Sequence, residues 1–140
     1  MAKNFVDGSM YLTHFGNTVG SEINDEHYSI VFNIKNNDNL VFCIPLTSPK
    51  PKHFRTLEDY NNRNYLKLKY PHTYYISQTD SIALIDQMKV ISVKRLNKIY
   101  KDNDGKLVYL HDDELDVIKI KIEKFIKSVL HKKMNIWHII

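Results

Sequence analysis

Short apolar runs and segments that alternate apolar with polar residues fill much of the first two thirds of the chain and predict β-strands. The strand-like segments are residues 9–15, 28–34, 40–46, 65–70, 81–85 and 87–93. A short polar stretch, residues 35–39, separates the second segment from the third and predicts an antiparallel hairpin. Another hairpin turn is expected at Asn103-Asp104-Gly105. Two longer polar stretches, residues 16–25 and 49–63, are expected to be loops.

The C-terminal part has a helical period instead. Three acidic residues, Asp112 to Glu114, give a favourable start for a helix. Six apolar residues then fall on one helical face: Leu115, Ile118, Ile122, Phe125, Ile126 and Val129. Residues 118–122 also alternate like a strand, but the periodic stretch is longer than a typical strand and favours a helix.

Together these elements predict a mainly β (α+β) fold, a small antiparallel β-barrel with a C-terminal α-helix. A chain of 140 residues fits one domain, predicted over residues 1–130. Residues 131–140 form a tail, basic and then apolar, that is either frayed or docked at an interface.

Composition narrows the setting in which the protein works. The lone cysteine, Cys43, allows no internal disulfide and lies in an apolar run, so it is expected to be a buried strand residue. The N-terminus has no signal-peptide core, and no segment has the length of a membrane span. These features predict a cytoplasmic protein without membrane association. The net charge of +4 permits a polyanionic partner without requiring one.

Neither a metal nor an organic cofactor is expected from the sequence. The seven histidines are dispersed, without the spacing of metal ligands. The chain also lacks a glycine-rich nucleotide loop.

The end of the third predicted strand carries the most suggestive chemistry, Thr47-Ser48-Pro49-Lys50. Hydroxyls can donate hydrogen bonds to phosphate oxygens, and a lysine supplies a positive charge. The segment therefore suggests a phosphate site, although an ordinary turn explains most such sequences.

The loop that follows mixes positive charges with rings, at Lys52, His53, Phe54 and Arg55. This mixture suits single-stranded nucleic acid, because charges follow the backbone while rings stack on bases. A solvated flexible loop is the alternative interpretation.

Three stretches, in this order, resemble the MazF/PemK family of bacterial toxins. The first is Gly20-Ser21-Glu22 with His27 and the strand from Ile30, and the second is the strand ending at Thr47-Ser48. The third is residues 80–91, closing with Lys94-Arg95-Leu96. The loop at residues 45–50 also looks like the ToxN/AbiQ branch of the superfamily.

The resemblance implies an SH3-like barrel, usually a homodimer, that cleaves single-stranded RNA without a metal. Such cleavage uses the ribose 2′-hydroxyl as nucleophile and leaves a 2′,3′-cyclic phosphate and a 5′-hydroxyl. It also implies an antitoxin that blocks the RNA groove, a protein in the MazF/PemK branch or an RNA in the ToxN-like branch.

The resemblance further implies roles for individual residues. His27 stands where the family's catalytic loop usually carries an arginine, and it can exchange a proton near neutral pH. Thr47 and Ser48 would grip the phosphate, and Lys50 would offset its developing charge. Glu22 would orient His27 or accept from a base edge, or it is a solvated carboxylate. Gln87 and Lys89 would read RNA or brace the loop.

Two other functions stay open. A non-catalytic binder on the same fold, such as a CcdB-like gyrase poison, would not need the polar set His27, Thr47 and Lys50. A degenerate toxin that binds RNA without cutting it would follow if His27 cannot replace the arginine.

Overall fold

The computed structural model describes residues 5–16 and 26–139, and the side chains within these ranges up to residue 130. The strands of this part are β1 Ser9–His14, β2 Glu26–Ile34, β3 Asn37–Thr47, β4 Thr73–Ile76, β5 Ser81–Leu84, β6 Lys89–Ser92 and β7 Leu96–Ile99. The helices are α1 Leu57–Asn61 and α2 Asp112–Ile139, with short 3-10 helices at Pro51–His53, Tyr65–Lys67, Ile85–Gln87 and Val93–Arg95.

The long strand β3 organises the sheet. It pairs with β2 along one edge, and its other edge is shared by β6, at residues 40–43, and β5, at Leu46 and Thr47. All of the strand pairs are antiparallel, and the strand order is β4-β5-β3-β2-β1-β7 with β6 branching from β3. The expected mainly antiparallel β fold, barrel-like with one C-terminal helix, is confirmed.

Side-chain alternation in β2 and β3 divides the core into two clusters. Ile30 and Ile44 belong to the first cluster, whereas their neighbours Val31 and Cys43 belong to the second. Cys43 is fully buried, as predicted, and burial raises the pKa of its thiol to about 11. Its thiol is therefore protonated at neutral pH and is a poor nucleophile.

Helix α2 closes the first cluster. Ile118 is fully buried there, and Leu115, Ile122 and Phe125 pack around the same cluster. The predicted helix is confirmed. Two residues of its predicted apolar face, Ile126 and Val129, remain 40% and 41% exposed. The backbone continues as helix to Ile139, through most of the segment that was expected to be a separate tail. In the described part of the chain, no helix is both long enough and apolar enough to cross a membrane.

Two predicted elements between β3 and β4 are wrong. Residues 65–70 are not a strand: Asn64 caps a 3-10 helix there, with its Oδ1 accepting from the Leu66 amide at 3.3 Å. Residues 49–63 are not a plain loop either, because they contain Pro51–His53 and α1. A capping signal was present, since Thr56 Oγ1 accepts from the Asp59 amide at 3.0 Å.

Candidate active site

The β2–β3 register brings His27 and Thr47 to the same end of the sheet. Ser29 pairs with Pro45, and two residues farther along the two antiparallel strands lie His27 and Thr47. His27 is also paired with Thr13 of β1, and Thr47 with Ile82 of β5. His27 is thus the second residue of β2, held by strand pairing rather than by a loop.

A cleft lined by both polar and apolar side chains opens at this end of the sheet and has two adjoining halves, of about 350 and 460 Å³. Three side chains line both halves: His27, Thr47 and Lys50. The two halves together are called the His27 cleft below. Each half has the size of an ordinary small-ligand site.

The cleft brings together four of the five predicted catalytic residues. His27 and Thr47 are half-buried, whereas Ser48 and Lys50 are exposed at its rim. The fifth, Glu22, lies outside the described residues. The carboxylates that the structure does place in the cleft are Glu26, in one half, and Asp86, in the other.

Of the predicted RNA-binding residues, Lys52, His53 and Gln87 line the cleft. Arg55 is exposed outside this lining. Lys89 lies on another surface, with its Nζ 5.8 Å from the centre of the Phe15 ring.

Phe54 cannot stack on a base in the way predicted. Its side chain is only 2% exposed and packs edge-on against Tyr60, with ring centroids 5.8 Å apart. The prediction failed because the segment folds into short helices that turn this ring inward.

His53 is also buried, at 6% exposure, and it contacts the turn after β3. Its Nδ1 accepts a hydrogen bond from the Lys50 amide at 2.9 Å, and its own amide donates to the Lys50 carbonyl at 2.9 Å. Burial, followed by the charges of Lys52 and Lys50, lowers the pKa of the His53 imidazole. The ring is therefore neutral at physiological pH.

Sequence reasoning missed some residues of the cleft wall. Tyr70 and Asp86 line the larger half, and Tyr28 lines the smaller one. Asp86 lies in the motif at residues 80–91, so its position in the cleft could have been predicted from the sequence. Tyr70 was assigned to a strand over residues 65–70 that the structure does not form, and its place in the cleft was therefore not predicted.

A second concavity, of about 440 Å³, lies between the 3-10 helix at Tyr65–Lys67 and α2. Its lining is largely apolar and aromatic, including Leu66, Tyr74 and Val117. The described residues that line it include no histidine or carboxylate, and the concavity that adjoins it along α2 adds His72 without a hydroxyl-bearing side chain. The combination of imidazole, hydroxyl and ammonium is therefore found in the His27 cleft. No cluster of three or more His, Cys, Asp or Glu side chains suited to a metal occurs within the described ranges.

The barrel-like sheet, the terminal helix and the cleft at the end of the β2–β3 pair define a small, mainly antiparallel β protein with a candidate active site. Residues 7–126, most of the chain, match the PemK-like, MazF-like toxin of type II toxin–antitoxin systems. The chain belongs to this family, which confirms the resemblance found in the sequence. No curated protein matches the chain. The family places the protein in a type II system, which implies a protein antitoxin as partner.

Proposed function

We propose that the protein is the toxin of its system and acts as a metal-independent endoribonuclease on single-stranded RNA. The observation that carries this proposal is the shared wall of the His27 cleft. There a proton-transfer group, a hydroxyl and an ammonium, from His27, Thr47 and Lys50, surround one space. A phosphodiester placed in that space would meet each group that cleavage requires.

In the proposed reaction, His27 takes the proton of a ribose 2′-hydroxyl, and the 2′ oxygen attacks the neighbouring phosphorus. The bond from phosphorus to the 5′ oxygen breaks, and the proton returns through solvent to that oxygen. The products are a 2′,3′-cyclic phosphate and a 5′-hydroxyl. Thr47 and Ser48 donate to the non-bridging oxygens as their charge grows, and Lys50 stabilises that charge.

The replacement of the family's arginine by His27 agrees with a reaction in which His27 transfers the proton and Lys50 stabilises the charge. An arginine stays charged and stabilises an oxyanion, whereas an imidazole can accept and release a proton near neutral pH. In this cleft the permanent positive charge comes instead from Lys50, which lines the same wall.

The larger half of the cleft is the proposed path of the RNA. Lys52 and Gln87 line it and extend the polar surface away from His27. A lysine beside the path would contact phosphates, and Gln87 could read a base edge.

The partner of the toxin would act at the same place. We propose that the protein antitoxin covers the His27 cleft and so excludes RNA. A homodimer is proposed as well, supported by the apolar residues that α2 leaves exposed in its described part, at Ile126, Val129 and Leu130.

The decisive experiment incubates the purified protein with single-stranded RNA in EDTA and maps the fragment ends. Wild type should leave 5′-hydroxyl and cyclic phosphate ends. His27→Ala should slow cleavage by about 10²–10⁴-fold, the usual contribution of a proton-transfer residue. Thr47→Ala should slow it by about 10²–10³-fold, as for one lost donor to an oxyanion.

Matched controls are His111→Ala and Ser77→Ala, which remove an exposed imidazole and an exposed hydroxyl outside the cleft. Intact RNA with wild-type protein would overturn the enzymatic proposal, and tight binding without cleavage would identify a degenerate toxin. Full activity in both His27→Ala and Thr47→Ala would show that the site lies elsewhere. Arrest of gyrase by a protein that leaves RNA intact would support the non-catalytic alternative.

A further inference from the structure

We propose that His53 is a positioning residue of the cleavage site, whose neutral imidazole holds the turn that carries Lys50. This inference rests on the proposed function. It goes beyond a direct contact between His53 and RNA, because His53 would act through the backbone of another residue.

Two hydrogen bonds between the same two residues close this turn. The Lys50 amide donates to His53 Nδ1 at 2.9 Å, and the His53 amide donates to the Lys50 carbonyl at 2.9 Å. The His53 carbonyl in turn accepts from the Lys69 amide at 2.9 Å. His53 thus ties the strand end after Thr47 to the segment that leads to Tyr70, and both border the His27 cleft.

The Lys50 side chain has no comparable restraint. It is exposed, and no hydrogen bond or ion pair holds it among the described residues. The backbone that His53 holds on both sides therefore fixes the point at the cleft rim from which the flexible Lys50 side chain reaches the substrate.

The acceptor role sets the protonation state of His53. Nδ1 can accept only when it carries no proton, so the neutral ring bears its proton on Nε2. Protonation of Nδ1 would place two donors against each other and end the bond to Lys50. The turn should therefore be intact at neutral pH and loosen in acid.

The groups around the ring act in both directions. The charges of Lys52 and Lys50, from its own turn, oppose its protonation and lower its pKa, whereas a backbone contact with Lys50 favours protonation. Three other titratable side chains line the same half of the cleft. They are Asp86, from the 3-10 helix at Ile85–Gln87, His27, from β2, and Tyr70. Burial comes first among the causes that lower the pKa of His53, so the loosening is expected below the ordinary histidine range.

Two variants of His53 test the hydrogen-bond acceptor at Nδ1 separately from the imidazole ring as a whole. In His53→Asn, the amide oxygen can stand near the place of Nδ1 and accept from Lys50, but it does not titrate. In His53→Gln, the amide lies farther out, near the place of Nε2. Cleavage at pH 7 should stay within about threefold of wild type in His53→Asn and fall by about tenfold or more in His53→Gln, the factor for one hydrogen bond.

The pH profile adds a readout that a merely structural role would not move. Wild type should lose cleavage in acid with a contribution from His53 that His53→Asn lacks, so the ratio of the two activities should change with pH. His111→Asn, at an exposed histidine outside the cleft, is the control and should follow wild type throughout.

Nitrogen NMR tests the contact without any RNA. The His53 ring should show the Nε2–H tautomer, and the Lys50 amide signal should move with the same midpoint as the His53 ring. A Lys50 amide that ignores the titration, or folded His53→Asn and His53→Gln variants with equal cleavage, would overturn the inference. If wild type cuts no RNA, the proposed function falls, and the NMR result alone decides whether His53 holds Lys50.

Discussion

Thr47 lies at the end of a strand and takes part in the proposed cleavage reaction. It is the last residue of β3, half-buried, and it pairs with Ile82 of β5. Strand pairing fixes its backbone, so the hydroxyl enters the His27 cleft from a rigid element. Groups held in this way can be aimed at a transition state at little reorganisation cost.

Two substitutions of Thr47 test the effect of its hydroxyl separately from the effect of its side-chain shape. Thr47→Ser keeps the hydroxyl and should keep cleavage within about tenfold, whereas Thr47→Val keeps the shape and should lose about 10²–10³-fold. Single-turnover cleavage of a short RNA measures both. Equal losses in the two variants would contradict a donor role, and thermal unfolding should show that both variants remain folded.

The hydrogen bonds to the Asp80 carboxylate predict that the free energy of unfolding depends on pH. Hydrogen bonding from Arg63, and then from Tyr75, lowers the pKa of its carboxyl. The Nε atom of Arg63 lies 2.9 Å from Oδ1 of Asp80, and the Tyr75 hydroxyl donates to the same oxygen at 2.7 Å. A carboxyl with a lowered pKa in the folded state stabilises the fold above its unfolded value, and this gain is lost as pH falls through the folded value.

Asp80→Asn should therefore lower the urea midpoint at pH 7 and should differ less from wild type at pH 2. The effect is expected to be small, because the Arg63 and Asp80 side chains are 33% and 51% exposed. Asp38→Asn, at an exposed carboxylate in β3, is the control. A deficit in Asp80→Asn that is the same at both pH values would contradict the ion-pair explanation.

Residue-scale prediction from sequence placed Thr47 at the end of a strand through the apolar run before it, and His27 just before another strand through the family resemblance. The β2–β3 register puts both residues at one end of the sheet. The prediction failed for Phe54, whose burial depends on how residues 51–61 fold back, which local composition does not encode. For the same reason His53 was expected on the surface, although it is buried beneath Lys50.

The β2–β3 hairpin is the element that brings the two halves of the site together. Its turn contains Asn36 at a positive φ of 63°, a conformation that asparagine tolerates better than most residues. The Asn37 side chain then accepts from the amides of Asn39 and Leu40, at 3.0 and 3.1 Å. The register shifts between Asn33 and Ile34, and these contacts hold the shifted turn from which the β2–β3 ladder runs towards His27 and Thr47.

Asn36→Val should destabilise the protein by about 1–2 kcal/mol, because a β-branched residue is strained at positive φ. Asn36→Gly should cost little, since glycine adopts this conformation freely. Chemical denaturation measures both variants. Asn39→Val is the control, because Asn39 is exposed and its φ is not positive. Equal losses in Asn36→Val and Asn39→Val would show that the turn conformation does not matter.

At the scale of elements, alternating segments and short apolar runs located β1, β2, β3 and β5 well. Alternation misplaced residues 65–70, where the pattern is strand-like but the described structure forms only an isolated antiparallel bridge, between Leu68 and Phe54. There the Asn64 cap favours a 3-10 helix, and Tyr65 and Leu66 remain 61% and 73% exposed. A period of two predicts a strand only when a neighbouring strand can satisfy its backbone.

At the scale of the molecule, the pattern of elements predicted a small, mainly antiparallel β-barrel with a C-terminal helix, and the family resemblance implied its SH3-like type. The division of one edge of β3 between β5 and β6 depends on pairings that are distant in sequence, which local patterns do not reveal. The same division leaves the end of β3 beside both β2 and β5, and so forms the corner in which the His27 cleft lies.

The distribution of charge around that corner leads to a prediction for RNA binding. Lys50 and Lys52 line the His27 cleft, whereas Arg55 is exposed outside its lining and Lys35 lies at the opposite end of the β2–β3 hairpin. Each phosphate contact to a single strand contributes about 0.7 to the slope of log affinity against log salt. Lys50→Ala and Lys52→Ala should therefore each reduce the slope by about 0.7, again the value for one contact.

Arg55→Ala should change the slope less than either, and Lys35→Ala should leave it unchanged. Fluorescence anisotropy with a 2′-O-methyl RNA measures the slopes, because such an RNA binds but lacks the nucleophile for cleavage. A slope that falls equally in all four variants would mean that RNA responds to the overall charge of the protein. The cleft would then not be the binding path, even if the protein cuts RNA.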